Sequence, residues 1–216
     1  MGVRTEENHL RKITIIAPLA FGAAAVMAYV FGDLRITRFI QRFHDPYFHW
    51  LMVAVSWPGY LGRQWVVALC VAALLLRYRL KIEAACLLIG LGTIWLFTNA
   101  SKFIVARARP TTDMVEVYAH SVNESFPSGH VTSYVALYGF LFYLVYTLMR
   151  PSPLRSALLI VLGALIALVG LSRVYLGAHW ASDVFGGYSI GFFWLAMTIY
   201  FYRRRKGESV GQTYGL

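Results

Sequence analysis

The chain has 216 residues, of which 58% are hydrophobic and 14% charged, and its mean hydropathy is +0.57. Soluble domains carry about 25% charged residues, so this composition excludes an ordinary soluble domain and predicts a membrane protein. The formal net charge of +10 does not indicate nucleic-acid binding, because the positive residues form short clusters between apolar runs and no basic face with interleaved aromatics is present.

Six apolar runs predict six membrane-spanning helices, each of which needs about 20 residues. Their approximate bounds are 13–31, 64–76 with an upstream extension, 82–101, 129–149, 156–171 and 184–202. We therefore predict an all-α polytopic membrane protein in which residues 1–216 form a single transmembrane domain. The first run could resemble a signal peptide, but it is longer than the apolar core of such a peptide and further spans follow.

A shorter aromatic segment precedes the second span. Residues 50–57 are apolar, but Pro58-Gly59 stops the run before it is long enough to cross a bilayer. We predict a short helix that lies in the interface or leads into the second span. Its expected interfacial anchors are Trp50, Trp57, Tyr60 and Trp65.

The distribution of positive residues predicts the orientation in the membrane. Six spans put both termini on one side, where 12 basic residues lie, including those of the tail 1–12, against 8 on the other side. The positive-inside rule therefore places both termini in the cytoplasm. Lys102, Arg109 and Arg173 then lie near the extracytoplasmic surface, against the gradient, where they could form an anion site or bind lipid headgroups.

The stretch 171–183 places Arg173, His179 and Asp183 between two apolar runs. If the chain is already helical at His179, Asp183 lies one turn further on and can hold one imidazole nitrogen. The other nitrogen would be free to act as nucleophile or base, with Arg173 supplying charge for an anionic substrate. A buried ion pair at a helix end would give the same pattern.

The fourth span opens with Pro127-Ser128-Gly129-His130. Proline suits the start of a helix, Ser128 can cap the helix or bond an anion, and Gly129 lets the backbone approach a ligand. The helix N-terminus presents free N–H groups, and His130 could donate a proton to a leaving oxygen. Alone, small residues here are also typical of packing between membrane helices.

Three clusters, in order and spacing, resemble the motifs of the type-2 phosphatidic acid phosphatase (lipid phosphate phosphatase) superfamily. They are Lys102 with Arg109-Pro110, then Pro127-Ser128-Gly129-His130, then Ser172-Arg173 with His179 and Asp183. The resemblance covers the whole six-span chain. It implies a bacterial membrane enzyme that hydrolyses a terminal phosphate of a lipid phosphate or diphosphate.

The resemblance also implies residue roles. His179 would be the nucleophile that becomes phosphohistidine, Asp183 its orienter, and His130 the general acid for the leaving alcohol and later the base for water. The phosphoryl oxygens would be bound by Lys102, Arg109, Ser128, the Gly129 amide and Arg173.

Neighbouring residues are expected to contact the lipid. Arg107, an additional cation, is expected to bind a headgroup rather than take part in catalysis. Four aromatic residues could line the entrance for an acyl or prenyl chain, or equally form part of an interfacial belt. They are Tyr118, Phe126, Tyr175 and Trp180.

No cofactor and no metal is expected, because three cations and helix N–H groups can stabilise phosphoryl transfer. The His-x3-Asp pair with His120 or His130 could instead ligate Zn²⁺ or Fe, although converging cations would repel a dication. Cys70 and Cys86 lie in apolar segments without metal or disulfide spacing. Neither heads the Cys-x5-Arg loop of a cysteine phosphatase, since Leu76 and Gly92 stand at the arginine positions.

Two other classes of function are compared with this one. A vanadate-dependent haloperoxidase, an oxidoreductase, has a similar anion pocket, but those enzymes are soluble. A non-catalytic transporter or lipid-binding protein would hold ionisable groups at the membrane midplane, whereas these lie at span ends on one side.

The expected partners are the bilayer and a lipid phosphate, at the extracytoplasmic face of the cell inner (cytoplasmic) membrane. Undecaprenyl diphosphate is the expected substrate, with phosphatidylglycerol phosphate, phosphatidic acid and lipid A phosphates as alternatives. Gly187-x3-Gly191 is a packing signal that leaves the oligomeric state open.

Overall fold

The structure, a computed structural model, describes residues 2–60 and 62–207, with side chains described from residue 16 onwards. Every regular element in those ranges is helical, which confirms the all-α prediction. The helices are α1 (Gly2–Phe31), α2 (Asp33–Ile40), α3 (Pro46–Ser56), α4 (Arg63–Arg77), α5 (Lys81–Val105), α6 (Gly129–Leu148), α7 (Pro153–Tyr175) and α8 (Ala181–Arg205), with a 3₁₀ turn at Trp57–Gly59. The side chains of the tail 1–12 lie outside the described part.

Four helices, α5 to α8, are long and apolar enough to cross a membrane, and the protein is a multi-pass membrane protein. The number rises to six if each of two bent helix pairs counts as one span. One pair is Ile16–Phe31 with Asp33–Ile40, bent by 95°, and the other is Pro46–Gly59 with Arg63–Arg77. The six predicted spans therefore correspond to the upper limit of this range.

The helices around the motifs extend beyond the predicted spans. Helix α7 continues past Leu171 to Tyr175, which places Arg173 in its last turn. It ends before Gly177, which has a φ of +65° and whose Cα faces the Glu116 carbonyl so closely that a Cβ would lie 2.0 Å from the oxygen. Only glycine fits there, so the chain turns towards α8.

The predicted short helix before the second span is present as α3, which leads into α4 and packs one face against the protein. Met52 is fully buried, and the Ser172 hydroxyl of α7 donates to its carbonyl at 2.7 Å. Of the expected anchors, Trp50 and Trp57 are exposed, at 69% and 56%. The other two, Tyr60 and Trp65, instead point inwards, to Arg173 and to the apolar core respectively.

Helix α6 lies at the centre and packs against α5, α7 and α8. The glycines of the small-residue pattern face it from α8: a Cβ on Gly187 would approach Val131 at 3.1 Å, and one on Gly191 would approach Val135 at 2.8 Å. This pattern therefore serves close helix packing within one chain. It also fixes the start of α6 beside the start of α8.

Helix α1 runs antiparallel to α8. Near one end the Ser189 hydroxyl donates to the Pro18 carbonyl, and at the other the Ser182 amide donates to Asp33. The ends of α1, α5 and α7 therefore meet the starts of α6 and α8. We call this the site end of the bundle, and the opposite end, where Lys206 pairs with Glu83, the terminal end.

Candidate active site

A cavity of about 320 Å³ opens at the site end. Six of the eight predicted site residues line it: Lys102, Arg109, Gly129, His130, Arg173 and His179. The other two, Ser128 and Asp183, are fully buried and do not line the cavity. The fold thus brings together residues that lie up to about 80 positions apart, and most of them share one solvent-accessible space.

Arg173 is a buried cation held by neutral groups. The side chain is 2% exposed, and its Nη1 donates to the Ser56 hydroxyl and to the Tyr60 hydroxyl, each at 2.6 Å. The Tyr60 ring centroid lies 5.0 Å from its Cζ. Its Nε has no hydrogen-bond partner among the described residues. A buried guanidinium without a carboxylate is costly, so this site favours an anion.

Lys102 is buried at the end of α5 and has the same kind of surroundings. Its ammonium donates to the carbonyl of Glu124 and lies 3.5 Å from that of Ser125. Both partners are backbone carbonyls, which carry no net charge.

Arg109 completes the set from the loop after α5. Its guanidinium donates to the Asn123 side-chain oxygen at 2.8 Å and to the Glu124 carbonyl at 3.1 Å. Burial, followed by the nearby charge of Arg173, lowers the pKa of Arg109 to about 10. In the ion pairs of residues 16–60 and 62–207, none of the three cations has a carboxylate partner.

His179 lies between α7 and α8 with its side chain buried. Burial, and then the charges of Arg109, Arg173 and Lys102, hold the pKa of His179 well below its usual range, so the imidazole is neutral. Arg109 Nη1 lies 3.1 Å from His179 Nε2. Arginine can only donate, so Nε2 carries the lone pair and Nδ1 the proton. That is the tautomer a nucleophilic Nε2 requires.

Asp183 stands further from His179 than direct hydrogen bonding allows, with 3.7 Å between Oδ2 and Nδ1. The Ser125 hydroxyl lies next to both groups, 3.4 Å from Nδ1 and donating to Oδ2 at 2.5 Å. Helix α8 begins at Ala181, so His179 is not helical as the spacing argument assumed. The carboxylate instead accepts the Trp180 amide at 2.9 Å and caps the helix.

Arg107 does not have the free guanidinium expected of a headgroup ligand. It forms ion pairs with both Asp183 and Asp33. Carboxylates on either side hold the guanidinium, so the structure favours a role within the protein over the predicted headgroup contact. Sequence reasoning also missed Ser56, Tyr60 and Ser125, which contact predicted site residues but belong to no recognised cluster.

The start of α6 presents unpaired polar atoms. Ser128 is the N-cap residue as predicted, but its hydroxyl makes no capping bond. In the part of the chain that the structure describes, Ser128 Oγ and His130 Nε2 are buried without a hydrogen-bond partner. A Cβ on Gly129 would meet only Thr98, at 3.8 Å, which leaves room for a ligand beside the helix N-terminus. These atoms are suited to bind oxygens of an anion.

The aromatic residues around the cavity differ from those expected. Tyr60 and Trp95 line it. Tyr175 and Trp180 are buried in the protein, because Trp180 donates to the Ala108 carbonyl at 3.1 Å and Tyr175 packs against neighbouring rings. None of the four residues predicted at the entrance is part of the lining; these are Tyr118, Phe126, Tyr175 and Trp180.

Proteins of known name that share sequence with this chain include three phosphatases. It is 29% identical over 161 residues to phosphatidylglycerophosphatase B of Bacillus subtilis, covering 74% of this chain and 78% of that protein. It is 30% identical over 135 residues to undecaprenyl-diphosphatase of Sulfolobus acidocaldarius, covering 60% of each. It is 32% identical over 116 residues to lipid A 1-phosphatase of Rhizobium etli, covering 50% of this chain and 46% of that protein.

Two solved structures share the fold. The transmembrane PAP2-type phosphatidylglycerolphosphate phosphatase of Bacillus subtilis matches with a TM-score of 0.77 and 25% identity, covering 89% of this chain and 97% of that chain. Aquifex aeolicus LpxE matches with a TM-score of 0.60 and 19% identity, covering 78% and 94%, which indicates the fold alone. Residues 83–206, more than half of the chain and including all eight predicted site residues, match the PAP2 superfamily. The chain therefore belongs to the PAP2 superfamily, as its motifs predicted.

Proposed function

We propose that the protein is a membrane lipid phosphatase that removes a terminal phosphate through a phosphohistidine intermediate and without a metal. The observation that carries this proposal is the cavity itself. Three cations, whose partners among the described residues are all neutral, line the cavity with a neutral histidine, and one of them contacts its lone pair. A phosphoryl group supplies the missing negative charge and places an electrophilic phosphorus next to that lone pair.

Substrate binding would release the nucleophile. In the structure an N–H of Arg109 points at the Nε2 lone pair of His179. A phosphate oxygen is a stronger acceptor than a neutral imidazole, and Arg109 can bind it with two parallel hydrogen bonds. The same movement that engages the substrate would therefore free Nε2 for attack.

The reaction follows in two displacements. His179 Nε2 attacks phosphorus, the bond to the leaving oxygen breaks, and His130, protonated while the anionic substrate is bound, gives that oxygen a proton. The positive imidazole is stabilised through Nδ1–H by the Ser125 hydroxyl and the charge of Asp183. Water then attacks with His130 taking its proton, the N–P bond breaks, and phosphate leaves.

The proposed site faces the extracytoplasmic side of the inner membrane. The site end is opposite the ends of α4 and α8 that carry Arg77 and Arg203–Arg205, which favours both termini in the cytoplasm. In a variant with Cys70 and Cys86 replaced by serine, a cysteine at Thr112 should react with an impermeant thiol reagent from outside. A cysteine at Arg79 should not, and the reverse pattern would place the site in the cytoplasm.

Undecaprenyl diphosphate is the proposed substrate, since carrier-lipid recycling suits a site at the outer surface. Phosphatidylglycerol phosphate is the second candidate, favoured by the similarity over 74% of the chain to a protein named for it. Phosphate release from both, and from phosphatidic acid and lipid A, should be compared by kcat/KM in matched micelles, with His179→Ala as the blank. A preference of ~100-fold for another lipid, about 2.7 kcal/mol, would replace the diphosphate proposal.

A further inference from the structure

Asp183 has no exposed surface, and both of its carboxylate oxygens accept hydrogen bonds from the protein. Oδ2 accepts the Ser125 hydroxyl and the Trp180 amide, and Oδ1 accepts Arg107. A carboxylate in this position stays ionised only while charged and polar partners replace water. Among these three partners, Arg107 carries the full positive charge.

Arg107 is itself fixed from a distant part of the chain. Its Nη2 lies 2.5 Å from Asp33 Oδ2, at the first residue of α2. Asp33 also accepts the Ser182 amide at 2.8 Å and the Ser182 hydroxyl at 2.6 Å. The Tyr29 ring of α1 covers the guanidinium at 4.9 Å. The helical pair α1–α2 therefore reaches Asp183 through one arginine.

Neither Arg107 nor Asp33 lines the cavity, and Asp33 lies outside residues 83–206, which match the family. Their contact with the site is therefore indirect. The planar guanidinium of Arg107 lies between the carboxylates of Asp33 and Asp183 and bonds both in one geometry. This arrangement fixes the orientation of the Asp183 carboxylate and favours its negative charge.

We propose that Arg107 and Asp33 are positioning residues for the phosphatase reaction proposed above, on which this inference rests. Arg107 keeps Asp183 ionised and turned towards the Ser125 and His179 side of the site, and Asp33 keeps Arg107 in place. The N-terminal helices thus complete the catalytic end of the protein. A purely structural ion pair would stabilise the fold without influencing the ionisation that catalysis needs.

The pH dependence of turnover separates these two roles. Charged and titratable groups around Asp183 are Arg107 in contact, Asp33 behind it, His179 beside it, and Lys102 and Arg109 further away. Neutralising Arg107 removes a cation, so the carboxylate takes up a proton at higher pH and the acidic limb of the kcat profile moves upwards. Neutralising Asp33 loosens Arg107 from Asp183, so the limb also moves to higher pH, but by less than in Arg107→Gln because the lost negative charge of Asp33 opposes the shift.

The full chain should be purified in detergent micelles as the wild type and as three variants, Arg107→Gln, Arg107→Lys and Asp33→Asn. Phosphate release from undecaprenyl diphosphate and from phosphatidylglycerol phosphate should then be measured across pH. We expect Arg107→Gln to lower kcat/KM by about 10–100-fold, as loss of a histidine's orienting partner does in metal sites, with the limb at higher pH. Arg107→Lys should retain the limb of the wild type, since it keeps the charge.

Glu83→Gln is the matched control, because it breaks a buried ion pair at the terminal end. This control should keep the kcat and the pH profile of the wild type. A loss of activity in Arg107→Gln with the wild-type pH profile would overturn the positioning role. If Arg107→Gln does not fold by gel filtration, a limb at higher pH in Asp33→Asn supports the proposal, and an unchanged limb or one at lower pH overturns it. Full turnover by His179→Ala would instead contradict the phosphohistidine route.

Discussion

Buried charges have partners of opposite charge at the terminal end of the helical bundle, whereas three cations at the site end have neutral partners among the described residues. At the terminal end Glu83 is 1% exposed, and it accepts both Lys206, at 2.8 Å, and the Tyr202 hydroxyl, at 3.0 Å. At the site end the acceptors that Lys102, Arg109 and Arg173 contact in the described part of the chain are uncharged. A balanced pair needs nothing further, whereas an unbalanced set of cations favours a bound anion.

The same contrast occurs over two positions of one loop. Arg107 has two carboxylate partners, and Arg109 has carbonyls, an amide and the lone pair of His179. Residue type alone does not distinguish them. Their roles follow from their partners, so the comparison can be tested by removing one charged group at a time.

The largest effect is expected from His179→Ala, which removes the proposed nucleophile. Phosphate release should fall by on the order of 10⁶-fold, as when a covalent catalyst loses its nucleophile. Because the side chain borders an existing cavity, thermal unfolding in detergent should change little. Glu83→Gln should do the reverse, lowering the unfolding temperature while kcat persists. Turnover by His179→Ala near that of wild type would break the distinction between the two ends.

His130→Ala should have the next largest effect, because it removes the proposed general acid. A loss of about 10²–10⁴-fold in kcat is typical of such groups. A leaving group that needs no protonation, such as p-nitrophenolate, should restore much of the rate. His120→Ala is the matched control, since His120 lines the same cavity from an exposed position. Equal losses in the two variants would contradict the assignment.

Gly59→Ala should sharpen the comparison by moving one imidazole without removing it. A Cβ at this position would lie 2.3 Å from His130 Cδ2, so the ring must shift. Displacement of a catalytic group by about 1 Å costs about 100-fold. Gly163→Ala, whose Cβ would meet Phe142 at an ordinary 3.8 Å, should leave kcat unchanged. Wild-type turnover by Gly59→Ala would show that His130 need not hold its present position.

The sequence predicted the long helices well, since apolar runs alone decide which segments can cross a membrane. It missed α2, whose eight residues mix Arg35 and Arg38 with apolar positions. It could not show that α3 packs against α7 or that Tyr60 contacts Arg173, because these tertiary contacts do not follow from the local pattern.

The predicted site residues could be recognised because each belongs to a short cluster with a fixed spacing. The residues that support them have no such signal. Ser56 contacts a residue 117 positions away and Asp33 one 74 positions away, so only the folded chain brings them to the site. No local pattern indicates that Arg107 contacts carboxylates, because its partners Asp33 and Asp183 lie 74 and 76 positions away.

The smallest effect is expected from removal of divalent metal. The site-end cations supply the charge stabilisation that Mg²⁺ provides in other phosphoryl-transfer enzymes, and the oxygens of Asp183 are engaged by Arg107, Ser125 and Trp180. EDTA should therefore leave kcat/KM unchanged, whereas orthovanadate, which has the charge and shape of phosphate, should inhibit competitively. Inhibition should weaken in Arg109→Gln but not in Arg63→Gln, a cation whose exposed side chain contacts Trp57. Activity lost in EDTA and restored only by an added divalent ion would show that these cations alone do not suffice.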